Sequence, residues 1–167
     1  MNIILAGMPA SGKTTVSKEL GKILNRKVID TDALIVEKHG EINKIFEKFG
    51  EQYFRDKETE IVKEVSILNN AVISVGGGCL LRQENTESLK SNGKIIYLKA
   101  TFKTLVDRAQ GDTTRPLLKG GAEANLKKLL ETRQKIYEAA ADFTVETDNL
   151  TPLQIAVKIK EFSEENI

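Results

Sequence analysis

The segment that most constrains this chain is Gly7-Met8-Pro9-Ala10-Ser11-Gly12-Lys13-Thr14, which follows the apolar run Asn2–Ala6 without a break. It fits G-x-x-x-x-G-K-[ST] at every fixed position, and the chain's own residue usage makes an accidental match about a one-in-a-hundred event. The glycines let the backbone curl until its N–H groups converge on one point, and a helix N-terminus adds partial positive charge there. Such a cradle suits a chain of phosphates: Lys13 can reach the outer two, and the Thr14 hydroxyl can ligate Mg2+. A strand–turn–helix with coincidental glycines is the competing reading. The motif's place between a predicted strand and a predicted helix weakens it. Nucleoside triphosphate binding is expected.

Beyond that motif, short apolar runs alternate with stretches of helical period. Residues 2–6, 28–29, 71–75, 94–98 and 143–146 read as strands. Val16, Leu20, Ile23 and Leu24 fall on one helical face, as do Phe54, Ile61, Val65 and Leu68 on the next long helix. Thr151-Pro152-Leu153-Gln154 has the form of a capping box with proline at the first helical position. This alternation predicts a three-layer α/β/α fold around a parallel sheet, in a single domain over residues 1–167. Residues 109–123 break the rhythm with three glycines and a proline between two helices. They read as an active-site lid or as a plain surface loop.

Charge sharpens the functional classes. The 25 basic and 24 acidic residues nearly cancel, giving a net charge of +1, so a nucleic-acid binder with a broad basic surface is disfavoured. No apolar run approaches the ~20 residues that span a bilayer. The start shows no basic leader and nothing cleavable, and the single Cys79 can form no internal disulfide. A cytoplasmic monomer without nucleic-acid or membrane partners is expected. Only six of the 25 basic residues are arginine, the rest lysine. Arginine is the residue of fixed, forked anion contacts.

Four of those six stand near candidate anion contacts. Arg133 lies four residues from both Leu129 and Tyr137, on the apolar stripe of its helix. It either snorkels to the helix edge or grips a carboxylate or phosphate in a polar pocket. Arg55 follows Phe54 on the inward face of its helix, with Glu58 one turn on to orient it. Arg115 sits in the glycine-rich segment, suited to transferring phosphate, and Arg108 just before it. Each also has a plain surface-charge reading. Arg26, Arg82 and His39 receive no role, and Cys79 reads as a small buried hydrophobe.

Carboxylates follow the second strand as Asp30-Thr31-Asp32. Residues two apart in an extended or early-turn segment point the same way, so one can serve the metal while the other orients an acceptor hydroxyl. Asp32 taken alone also reads as a helix N-cap. After the third strand come Gly76, Gly77 and Gly78, more glycines than a turn needs. They suggest close backbone approach to a ligand at the carboxyl end of the sheet.

Together, the phosphate cradle, Asp30-Thr31-Asp32, Phe54-Arg55, the triple glycine, Arg115-Pro116-Leu117-Leu118 and Arg133 with Tyr137 resemble shikimate kinase in order and spacing, from Met1 to about Pro152. The resemblance implies a five-stranded sheet ordered 2-3-1-4-5 and transfer of the ATP γ-phosphoryl group to the 3-hydroxyl of shikimate. It implies Lys13, Asp32 and Arg115 as catalytic residues, with Thr14 and Asp30 at Mg2+. ATP contacts are implied for Gly7, Pro9, Ala10, Ser11, Gly12, Thr15, Arg108 and Pro152. Shikimate contacts are implied for Asp32, Phe54, Arg55, Gly76, Gly77, Gly78 and Arg133. Ala10 departs mildly from the family, where glycine is common. A related kinase of gluconate or a nucleoside monophosphate, and a non-catalytic binding regulator, are the alternatives.

Overall fold

In the computed structural model, which describes residues 1–110 and 121–166, the five apolar runs form one parallel sheet. The strands are β1 (Asn2–Ala6), β2 (Lys27–Asp30), β3 (Ala71–Ser74), β4 (Gly93–Lys99) and β5 (Phe143–Glu146). Their order is β2-β3-β1-β4-β5, as expected. Side chains alternate across β1. Ile3 and Leu5 join one hydrophobic cluster, Ile4 and Ala6 the other. Burial on both faces is why these strands read as unbroken apolar runs.

The helices are α1 (Lys13–Leu24), α2 (Thr31–His39), α3 (Ile42–Phe49), α4 (Glu51–Ser66), α5 (Gln83–Lys90), α6 (Phe102–Gln110), α7 (Ala122–Ala140) and α8 (Pro152–Asn166). Val16 and Leu20 of α1 pack with Ile155, Ala156 and Ile159 of α8 on one face of the sheet. Residues of α2 to α7 cover the other, including Ile35, Ile45, Ile61, Leu89, Leu105 and Tyr137. The capping box of α8 is present: the Thr151 amide donates to Gln154 Oε1 at 2.9 Å and the Gln154 amide to Thr151 Oγ1 at 3.2 Å. Among the described residues, no helix is long and apolar enough to cross a membrane.

Two expectations shift. Leu68 does not continue the buried face of Phe54, Ile61 and Val65, because α4 ends at Ser66 and the chain turns outward; Leu68 is exposed. Of the expected lid, Ala109 and Gln110 close α6, while Ala122 and Glu123 open α7. Gly121 caps α7, and residues 111–120, Arg115 included, lie outside the described residues.

Since all strands run the same way, the segments leaving β1, β2 and β3 emerge on one edge of the sheet. Those segments are the phosphate cradle, Asp30-Thr31-Asp32 and the triple glycine, brought side by side by β2-β3-β1 pairing.

Candidate active site

The cradle has the backbone its sequence demands. Gly12 caps α1 at φ 93°, a left-handed conformation that glycine reaches without strain. At Gly7 a side chain is barred by space, since a Cβ there would stand 2.8 Å from the Leu98 carbonyl oxygen. Ala10 sits at φ 68° although it carries a Cβ. The Lys13 ammonium lies against the loop, donating to the carbonyls of Gly7 at 2.8 Å and Met8 at 2.9 Å.

Asp30, not Asp32, is the N-cap of α2, because β2 runs through Asp30 and the helix begins at Thr31. Asp30 Oδ1 accepts from the Ala33 amide at 3.1 Å. Its other oxygen accepts from the Thr14 hydroxyl at 3.4 Å. A hydroxyl and a carboxylate thus stand side by side at the mouth of the cradle, the oxygen donors that Mg2+ takes while keeping several waters. Asp32, in the first turn of α2, lines the same pocket.

The triple glycine has a reason that the sequence does not disclose. None of the three has positive φ; what they provide is room for charged side chains. A Cβ on Gly76 would stand 2.7 Å from Asp32 Oδ1 and 3.1 Å from Glu58 Oε2. One on Gly77 would meet Arg133 Nη1 at 3.2 Å and the Pro9 ring at 3.0 Å. A Cβ on Gly78 would fall inside the Arg55 guanidinium, 2.6 Å from Cζ. Each glycine therefore admits a different functional group from a different element.

Arg55 and Arg133 are both only 9% exposed, and Glu58 is 1% exposed. Arg55 Nη1 donates to Glu58 Oε1 at 2.8 Å, and Phe54 lies beneath the guanidinium at 5.1 Å. Among the described residues, none donates to Glu58 Oε2. Burial pushes the Glu58 carboxyl above its ordinary range, with the Arg55 charge opposing that shift. So the sequence reading of Arg133 resolves toward the pocket: it is buried on the inward stripe rather than extended to solvent.

The cavity holds about 970 Å3. Pro9, Ala10, Gly12, Lys13, Thr14, Asp30, Asp32, Phe54, Arg55, all three glycines and Arg133 line it. Gly7, Ser11, Thr15, Arg108 and Pro152 do not. Ser11 is buried under the loop. Thr15 is exposed one position along α1, and Pro152 is exposed at the start of α8. Arg108 turns to the outside of the cradle, where Nη1 donates to the Ser11 carbonyl at 3.2 Å and Nη2 to that of Thr147 at 3.3 Å. Lining residues beyond those expected include Glu58 and, from α2 and α3, Val36, Ile42 and Phe46. The spacing of Ile42, Ile45, Phe46 and Phe49 was the signal for α3.

The shikimate kinase family model matches residues 9–164. A shikimate kinase of Caldicellulosiruptor bescii is 44% identical over 160 residues, covering 95% of this chain and 92% of that one. Among solved structures, a shikimate kinase from Acinetobacter baumannii in complex with shikimate has a TM-score of 0.93 at 36% identity, covering 99% of this chain and 93% of the other. The Aquifex aeolicus enzyme has a TM-score of 0.86, also at 36% identity, over 99% and 98% of the two chains. Likeness in both sequence and fold runs from the glycine loop through the last helix, and on it the chain belongs to the shikimate kinase family, ATP-dependent kinases of shikimate.

Proposed function

We propose that this pocket transfers the γ-phosphoryl group of ATP to the 3-hydroxyl of shikimate through the residues named above. The observation that carries the reading is the pair of nine-tenths-buried guanidiniums, Arg55 and Arg133, against one glycine turn in the cavity that also holds the phosphate cradle. Two forked cations at fixed spacing suit a planar carboxylate, which they would hold bidentately. Phosphoryl donors enter at one end and a carboxylate-bearing acceptor at the other.

Gly7, Pro9, Ala10, Ser11, Gly12, Lys13, Thr14 and Thr15 hold the phosphates of ATP, and Arg108 and Pro152 flank its base. The transition state spreads negative charge over the γ-phosphoryl oxygens, so catalysis rests on positioning and positive charge. Lys13 supplies part of that charge, and Arg115 acts on the same phosphate from the 109–123 lid. Thr14 and Asp30 would hold Mg2+, whose charge neutralises the phosphate oxygens when bound. Arg55 and Arg133 fix the shikimate carboxylate, with Phe54 beneath and the backbone of Gly76, Gly77 and Gly78 against the ring. Asp32 then holds the attacking hydroxyl in line and accepts its proton late.

ADP release with ATP, Mg2+ and a panel of shikimate, gluconate and nucleoside monophosphates tests the assignment. Shikimate alone is expected to raise ADP release. A rate with shikimate no higher than the acceptor-free control would overturn it.

A further inference from the structure

We propose that Thr31 and Tyr137 are positioning residues for the acceptor, two hydroxyls that pin the glycine turn from opposite sides and set its spacing to Asp32, Arg55 and Arg133. The proposal rests on the acceptor reading given above and assigns work to two side chains that reading leaves idle. Thr31 is fully buried, and its Oγ1 accepts from the Gly76 amide at 3.3 Å. Tyr137 is also buried, and its hydroxyl donates to the Gly77 carbonyl. The turn's other carbonyls are satisfied locally, that of Gly76 by the Cys79 amide at 3.0 Å and that of Gly78 by the Leu81 amide at 3.1 Å. Among the described residues, these two hydroxyls are the side chains that bond to the turn's backbone.

Each pin belongs to an element that also delivers a pocket charge. Thr31 immediately precedes Asp32, and Tyr137 lies one helical turn beyond Arg133 on α7. The bond from Thr31 therefore locks the turn to the aspartate, and the bond from Tyr137 locks it to the arginine. Clearances explain why that matters. An idealised Cβ on each glycine would stand within 3.2 Å of an Asp32, Arg133 or Arg55 atom, so a displaced turn runs into a charged group or draws away from it. Misplacement of about 1 Å in such a site costs as much as a hundredfold in rate. Burial holds the Tyr137 phenol up at about 12, so it keeps the proton it donates throughout the pH range of the reaction.

The test measures KM for shikimate, KM for ATP, kcat and melting temperature for the parent, Thr31→Val, Thr31→Ser and Tyr137→Phe. Loss of either hydroxyl is expected to raise KM for shikimate about fivefold to tenfold, with KM for ATP unchanged. Thr31→Ser, which keeps the acceptor oxygen, is expected to restore the parental value. Variants that melt lower but keep the parental KM for shikimate would reduce both residues to packing and overturn the proposal. So would equal rises in both KM values, or a serine variant that behaves like valine. A parent that does not turn over shikimate at all sinks the acceptor reading, and the pins with it; a parent that turns over beside unaltered variants sinks the pins alone.

Discussion

Ala10 occupies a backbone conformation that calls for glycine. At φ 68° it lies in the left-handed region, where an L side chain brings Cβ too near the following carbonyl, at a cost of about 1–2 kcal/mol. Ala10→Gly removes that strain. It also frees the unfolded chain, which returns about 0.4–1 kcal/mol of conformational entropy to the denatured state. The balance favours the variant by about 0.5–1 kcal/mol. For a chain of this length each kcal/mol moves the midpoint by about 2–4 °C, so the glycine variant is expected to melt about 1–4 °C higher. Ala10→Val supplies the opposite arm, since a β-branched residue at positive φ is a genuine outlier. Differential scanning calorimetry of the three proteins without nucleotide is the assay. The order Gly above Ala above Val is expected, with turnover of the glycine variant within about twofold of the parent because the cradle works through backbone N–H groups. A glycine variant melting at or below the parent refutes the reasoning, and would mean that neighbouring contacts of the Ala10 methyl outweigh its backbone strain.

Lys13→Ala is expected to leave the melting temperature near parental and to lower phosphoryl transfer by at least about a hundredfold in coupled ADP-release kinetics. Gly78→Ala places a Cβ 2.6 Å from Arg55 Cζ and must push the guanidinium off Glu58. Its KM for shikimate is expected to rise about tenfold or more while KM for ATP holds, and unchanged shikimate affinity would show that Arg55 can yield. Glu58→Gln tests the raised Glu58 carboxyl. A group whose folded pKa is raised loses its stabilising contribution as pH climbs from the unfolded value through the folded one. The difference in melting temperature between Glu58→Gln and parent should therefore move in the variant's favour from about pH 4 to pH 7. An offset that stays constant across that window would show that Arg55 fully compensates the buried charge.

What the sequence disclosed and what it withheld divide along sequence distance. Strand positions, the cradle and the α8 capping box depend on runs of a few residues, and local chemistry decides them. Leu68 keeps the apolar identity of the stripe two residues after α4 has ended at Ser66, so the sequence pattern overruns the helix. Likewise Asp30 and Asp32 compete for one cap, and a single residue of strand length decides between them. Both are boundary questions, settled by where backbone pairing ends rather than by side-chain type.

The triple glycine shows the deeper limit. Its sequence says that side chains are unwelcome and suggests approach by a ligand, but it does not name the protein's own atoms that also stand there. The atoms that exclude a Cβ prove to be Asp32 with Glu58, Arg133 with Pro9, and Arg55, brought in from α2, α4, α7 and the cradle. No spacing rule joins positions that far apart; only the sheet order and two layers of packing do. The consequence reaches function. Four charged side chains converge on a backbone with no Cβ of its own to give way, so their mutual spacing is set by main-chain position rather than by adaptable rotamers. Long side chains such as arginine gain precision most from such a wall, because it removes freedom that their own torsions would otherwise keep. The scarcity of arginine and the run of glycine are then two halves of one device, in which residues without side chains hold the most flexible cations in place.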